Sequence, residues 1–211
     1  MSQKPIFDHQ GRIDRAYNLT MIYQISNLLL QALVTIVGGA CLIRCYSQYF
    51  RINLAHAAGF QISGYIQTVS NWIILPLRKV IPSVGKFDLA SLLAAYLITL
   101  VKTGVLWFLG GAPVAVIAVL LLSVFELINL FLSGIIGVVF LSVILSWFAP
   151  GSMFAYFVNA LSEPFLGPIR NAIPRLGMID LSPIVLFFGV QIFQIVLANL
   201  ELIVLPVVLR W

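Results

Sequence analysis

Charged residues, cysteine and histidine are all scarce in this chain. Charged residues make up 9% of its 211 residues, whereas soluble domains carry about 25%. The apolar residue types Ala, Val, Ile, Leu, Met, Phe, Trp, Tyr and Cys make up 61% of the chain. Ordinary globular chains stay near roughly 45 to 50%. Because this much apolar surface needs lipid around it, the composition argues against a soluble enzyme fold.

The shortage of metal-binding side chains argues against metal or haem chemistry. Two cysteines cannot build a disulfide framework, and His9 and His56 are the only imidazoles. Zinc sites with four ligands and bis-histidine haem sites therefore lack their ligands, and we expect no metal and no cofactor. The net charge of +5 is spread thinly between apolar stretches, which is typical of membrane loops, so we do not expect nucleic acid as a partner.

Long apolar runs predict an all-α, polytopic membrane protein with about four spans. A span needs about 20 apolar residues, and three runs fit one span each: Met21 to Tyr46, Leu89 to Leu109 and Leu181 to Leu209. Residues 112–147 form either one long tilted helix or two spans. The first 20 residues are predicted to be a polar tail, and the mixed segment 51–86 is predicted to lie on the membrane surface.

One segment of 14 residues occurs twice. Residues 76–89 (PLRKVIPSVGKFDL) align without a gap on residues 168–181 (PIRNAIPRLGMIDL), with seven identities. We call these two segments the basic turns. Upstream, Ser47-Gln-Tyr49 aligns with Leu145-Ser-Trp147, with the first linker six residues longer. The chain is therefore predicted to contain two tandem repeats, 21–110 and 111–211, each made of a helix, an interfacial loop and a helix.

Prolines bracket the first half of each basic turn, at positions 76 and 82 and at positions 168 and 174. Each bracket is predicted to form a short, stiff element of little more than one helical turn. Its basic residues are expected at headgroup level, where a guanidinium can bind a lipid phosphate or a partner protein. The candidate contact residues are Arg78, Lys79 and Arg170 within the brackets and Arg175 directly after the second bracket.

An aspartate closes each basic turn just before the next span. Asp88 and Asp180 are predicted to cap the free amides of the following helices, or to pair with the arginine ten residues earlier. A purely structural role, anchoring each hairpin at the interface, is favoured over a specific site for anionic lipid or a partner.

Ionisable residues inside a span are costly and indicate function by default. Glu126 and Lys102 are the candidates, either as the lining of a polar pathway or as a proton-sensitive pair. The structural alternatives are one buried ion pair that fixes helix register, or a Glu126 that is simply protonated because burial disfavours a charged carboxylate. Gln194 occupies the position equivalent to Lys102 in the second repeat. Together with Gln191, and with an amide stripe in the first span that ends at Gln31, it is expected to hydrogen bond between helices.

The loop charges favour a cytoplasmic location for both basic turns. With four spans, both turns face one side with six basic residues, against four on the other side, and cytoplasmic loops carry the excess of Lys and Arg. A five-span arrangement would instead place the repeats in inverted orientation and split the charges evenly.

The chain resembles the YggT family, also called YlmG, whose signature is a proline-bracketed basic turn followed by Gly and then Asp. The resemblance covers about residues 22–200 in the two-copy form found in proteobacteria, and includes Ser162-Glu-Pro164 and Leu181-Ser-Pro183. The first copy departs from the second at Trp72 and Ser91, where the second has proline.

The resemblance implies a non-enzymatic, multi-pass protein of the inner membrane. Bacterial members of the family are associated with tolerance of osmotic shock and with ion uptake, so a role in ion homeostasis is expected. The alternative is a scaffold or assembly factor for cytochrome maturation or cell division, which would dock a membrane partner through the basic turns. Homo-oligomers are also compatible with so small a chain.

Overall fold

The computed structural model describes residues 6–52, 54–81, 87–110, 116–172 and 180–208. All its long elements are helices. The first spanning helix consists of α1 (Ile6–Leu33), one π-helical segment (Val34–Gly38) and α2 (Gly39–Tyr49), which follow one another without a break. It is followed by α3 (Leu54–Val80), α4 (Leu89–Leu109), α5 (Val116–Phe148), α6 (Met153–Ala172) and α7 (Ser182–Val208).

Within the described residues, four helical stretches are long and apolar enough to cross a membrane: Tyr17–Tyr49, Leu89–Leu109, Val116–Phe148 and Ser182–Pro206. This confirms the predicted all-α, four-span architecture. The run at 112–147 forms one helix, α5, of 33 residues. At about 50 Å it exceeds a hydrocarbon core of roughly 30 Å, so it must tilt or extend beyond the core. With four spans, both basic turns lie on one side of the membrane.

The helices α3 and α6 fall outside this spanning class and contact each other. Each follows the first span of its repeat and ends in the basic turn, so each repeat is built as span, interfacial helix and span. The arginine of each basic turn lies in the last turn of the interfacial helix, at Arg78 in α3 and at Arg170 in α6.

The first helix begins at Ile6 rather than near Met21, so most of the predicted polar tail is helical, because a long apolar helix can extend through polar residues once it is nucleated. The stretch apolar enough to span begins at Tyr17. The predicted proline bracket is wrong, because it is not a separate short element: Pro76 lies inside α3 and Pro168 lies inside α6. An internal proline costs a helix about 3 kcal/mol, which tertiary packing of the interfacial helices offsets.

The two repeats build equivalent cores. Positions in the first span correspond at a spacing of 98 residues, and positions from the interfacial helix onward correspond at a spacing of 92. Four pairs of equivalent residues that are apolar in both copies are at most 8% exposed: Val34 and Leu132, Cys41 and Val139, Ile74 and Leu166, Ile98 and Val190. The duplication seen in the basic turns therefore extends to the packing of the helices.

Candidate functional site

The first basic turn forms an ion pair at the start of α4. Arg78 Nη2 donates to Asp88 Oδ2, and Asp88 is 1% exposed. Asp88 also accepts from the backbone amide of Ser91 at 3.2 Å and from Ser91 Oγ at 2.7 Å. Burial raises the pKa of Asp88, but the hydrogen bonds from Ser91 and Arg78 outweigh it and hold the pKa below its ordinary value. Asp88 thus caps α4 and ties it to α3.

The second basic turn repeats the pair with a more open geometry. Arg170 Nε donates to Asp180 Oδ2 at 2.8 Å, and Arg170 Nη1 donates to Glu163 Oε2 at 2.7 Å. Asp180 Oδ1 accepts from the amide of Ser182 at 2.9 Å. Burial raises the pKa of Asp180, and the hydrogen bonds from Ser182 and Arg170 lower it to a net value below the ordinary one. The side chain of Asp180 keeps 34% exposure.

These contacts limit how accessible the candidate contact residues are to a lipid or a partner protein. Both arginines are engaged within the chain, although Arg78 keeps 41% side-chain exposure and Arg170 keeps 29%. Lys79 is exposed at the end of α3. Arg175 lies outside the described residues, as do the other residues of 82–86 and 173–179 in the two basic turns.

The structure brings Lys102 and Glu126 together between α4 and α5. Lys102 Nζ donates to Glu126 Oε1 at 2.5 Å and also to Oε1 of Gln31 on α1. The side chain of Lys102 is 8% exposed and that of Glu126 is 25% exposed. The partner Gln31 was expected only as part of an amide stripe, and no feature of the sequence indicated that it accepts from Lys102.

An equivalent contact occurs in the second repeat with neutral groups. Gln194 Nε2 donates to Asn129 Oδ1 at 2.9 Å and to Ser133 Oγ at 3.1 Å. Asn129 lies 98 residues after Gln31, and Gln194 lies 92 residues after Lys102, so the same two positions meet in both copies. What distinguishes the first copy is the charge on Lys102 and its second contact, with Glu126 of the other repeat.

A cavity of about 510 Å³ opens beside this ion pair. It lies among α1, α4, α5 and α7, on the half of the bundle away from the basic turns. We call it the vestibule, and its polar lining consists of Tyr23, Asn27, Lys102, Thr103, Glu126 and Glu201. Since Glu126 is ten residues into α5, the vestibule reaches about 15 Å along that helix.

On the side of Lys102 that faces the basic turns, α4 and α5 pack closely against each other. One turn further toward the basic turns, Thr99 and Ser123 are fully buried, and Thr99 Oγ1 donates to the carbonyl of Ser123 at 3.2 Å. Ala94, Ala95 and Ile98 continue the packed region. The vestibule therefore ends at Lys102 in this structure.

A polar contact not foreseen from the sequence holds α2 against α3. Arg44 Nη1 donates to Ser70 Oγ at 2.9 Å and to Asn71 Oδ1 at 2.6 Å. The only signal was the group of polar residues in segment 51–86.

Among the described residues, no group of three or more His, Cys, Asp or Glu side chains is arranged to hold a metal ion.

Comparison with known proteins agrees with the duplicated architecture. The family model CCB3/YggT matches the chain twice, at residues 23–109 and 121–201. The chain belongs to the CCB3/YggT family. The two matches begin 98 residues apart and end 92 residues apart, which are the spacings that relate the two cores.

Relatives of similar length occur in several bacteria. The uncharacterized protein YggT of Escherichia coli K12 is 35% identical over 161 residues, which cover 75% of this chain and 81% of the relative. An uncharacterized protein of Haemophilus influenzae Rd is 33% identical over 163 residues, covering 76% and 84%. One of Pseudomonas aeruginosa is 36% identical over 142 residues, covering 65% and 72%. No solved structure matches the chain significantly.

Proposed function

We propose that this membrane protein acts, without catalysing a reaction, in ion homeostasis and osmotic tolerance, and that the vestibule is where ions enter it. The observation that carries the proposal is the contact of Lys102 with Glu126 at the end of a polar cavity inside the spanning bundle. Charged groups at such depth are costly and usually serve ion or proton pathways.

The charges of the vestibule favour a cation. Glu126 and Glu201 supply two carboxyl groups against the one amine of Lys102. A low-dielectric wall strengthens the field of such groups. A monovalent cation that enters would compete with Lys102 for Glu126, and passage beyond the lysine would also require the packed contact of Thr99 with Ser123 to separate. Glu126 is thus proposed as the cation ligand and Lys102 as the residue that competes with the cation.

A flux assay in liposomes tests this proposal. The variant Lys102→Gln with Glu126→Gln removes both charges and leaves no buried lysine unpaired, and glutamine already occupies the equivalent position 194. We expect the unmodified protein to carry potassium in response to a gradient and the double variant to lose most of that flux. Glu163→Gln, an exposed carboxylate on α6, is the matched control and should retain it. Potassium flux equal to that of empty liposomes for the unmodified protein would refute the proposal.

The scaffold function has less support from the geometry. It requires Arg78 and Arg170 to reach a partner, whereas both are held by carboxylates of their own repeat. We retain the proposal that both basic turns face the cytoplasm from the inner membrane, on the basis of the loop charges.

A further inference from the structure

The two repeats differ in how much of their last helix is covered. In α4, 28% of the residues in the most apolar stretch are buried within the protein, whereas in α7 the figure is 6%. The reason is position in the chain: α4 packs against its own repeat on one side and against α5 of the second repeat on the other, while α7 packs on α5 and α6. Among the described residues, one side of α7 therefore lacks the neighbour that α4 has.

The interface between α4 and α5 joins the two repeats by hydrogen bonds as well as by apolar packing. Tyr96 Oη donates to the carbonyl of Leu120 at 3.2 Å, and Thr99 Oγ1 donates to the carbonyl of Ser123 at 3.2 Å. One turn further along, Lys102 contacts Glu126. The interface thus follows one face of each helix, at a spacing of three residues.

The repeat spacings identify the equivalents of these residues at the two ends of the molecule. On α7, Tyr96 corresponds to Phe188 and Thr99 corresponds to Gln191; Phe188 is 58% exposed and Gln191 is also exposed. On α1, the residues that correspond to the α5 side of the interface are Ile22, Ile25 and Leu28, which are 52%, 55% and 70% exposed. Both halves of the interface therefore exist a second time, and within the part of the chain that the structure describes neither meets its counterpart.

From this duplication we infer that a second copy of the chain docks on α7 through its α1, in the same way that α5 docks on α4. The interface between repeats would then continue from one molecule to the next. The exposed Gln191 supports this assignment, because a side-chain amide on an outer face of a spanning helix gains a partner by hydrogen bonding across helices. This inference does not depend on the proposed ion function.

The contact is head to tail, since different helices meet. Repeated contacts of this type close into a ring when the rotation permits. The charged pair of the internal interface is not repeated, because Leu28 takes the place of Glu126 and Gln194 is already bonded to Asn129. The contact between copies is therefore more apolar than the contact between repeats.

Disulfide crosslinking between two differently tagged copies tests the inference. The background is Cys41→Val with Cys45→Val, which introduces the residues found at 139 and 143 in the second repeat. One copy carries Gln191→Cys and the other Ile25→Cys, the equivalents of Thr99 and Ser123. The matched control replaces Gln191→Cys by Phe193→Cys, which is 55% exposed in the native chain and lies on the opposite side of α7, about 200° around the helix.

In native membranes we expect mild oxidation to give a band that carries both tags for Gln191→Cys with Ile25→Cys, and little for the control pair. An equal band from the control would indicate random collision in the lipid, and a band from Gln191→Cys paired with itself would indicate a symmetric contact; either result overturns the inference. Native mass measurement of the unmodified chain in mild detergent gives an independent test, because a purely monomeric protein would also overturn it.

Discussion

At the scale of single residues, the carboxylate of Asp88 joins the end of α3 to the start of α4. It is buried and receives bonds from Arg78 and from the amide and hydroxyl of Ser91. Asp180 also pairs with its arginine, but its amide donor is Ser182, because Pro183 occupies the position equivalent to Ser91 and has no amide hydrogen. The first copy depends more strongly on its arginine, because Asp88 is 1% exposed whereas the side chain of Asp180 keeps 34% exposure.

The same substitution should have unequal effects in the two basic turns. Arg78→Ala leaves a buried carboxylate without its charged partner, which we expect to cost about 1.5 to 3 kcal/mol of unfolding free energy. Arg170→Ala should cost about 1 kcal/mol or less, because water can reach Asp180. Unfolding in mixed micelles at increasing SDS, followed by circular dichroism, measures both. Lys79→Ala, which alters an exposed neighbour, should change little, and equal losses for the two arginines would contradict the assignment.

Part of this residue-level chemistry could be predicted from the sequence. The spacing of Arg78 and Asp88 within a repeated segment was sufficient to propose their pairing, and Lys102 and Glu126 were candidates because a charge in an apolar span is rare. The contact of Lys102 with Gln31 could not be predicted, since it depends on how three helices pack. The hydrogen bond from Arg44 to Asn71 likewise depends on how α2 and α3 pack, so it could not be predicted either.

At the scale of helices, the π-helical segment in the first span allows a close approach to α5. A Cβ atom built on Gly38 would lie 2.9 Å from Cδ2 of Leu130, a side chain that is 7% exposed. Gly39, the next residue, has open space at the corresponding point. Because Gly38 has no side chain, the first span can pack closely against Leu130 of the second repeat.

The two adjacent glycines provide a matched test of that packing. Gly38→Ala should be less stable than Gly39→Ala by about 1 kcal/mol, the low end of the usual cost of overpacking, because the atom it meets is the end of the Leu130 side chain, which can shift. Both substitutions gain the same helix propensity of about 1 kcal/mol. The difference can be read from SDS unfolding of the two variants side by side. If both were equally stable, the close contact of Gly38 with Leu130 would not exist in the membrane.

Helix boundaries were harder to predict than helix existence. Apolar length was enough to predict the four spans, because a single apolar run of about 20 residues satisfies its own backbone in lipid by forming a helix. The continuation of α3 through Pro76 was not predicted, since a local rule that breaks isolated helices was outweighed by the packing of α3 on its neighbours. The start at Ile6 was missed for a related reason, because polar residues do not themselves end a helix.

At the scale of the whole molecule, the chain is a tandem duplication whose halves have diverged where they meet. The cores coincide, and the amide contact of Gln194 with Asn129 repeats that of Lys102 with Gln31. The charged pair occurs once, between the repeats, beside the vestibule. Duplication therefore accounts for the shared packing of the helices, and divergence between the repeats accounts for the charged pair of Lys102 with Glu126.

The direct test of this architecture is the sidedness of the two basic turns. Lys79→Cys and Asn171→Cys place thiols at equivalent exposed positions, and Gly110→Cys lies at the other end of α4. With native cysteines replaced by valine, a membrane-impermeant maleimide is applied to vesicles of both orientations. We expect 79 and 171 to react from the same face and 110 from the opposite face. Reaction of 79 and 171 from opposite faces would contradict two parallel repeats.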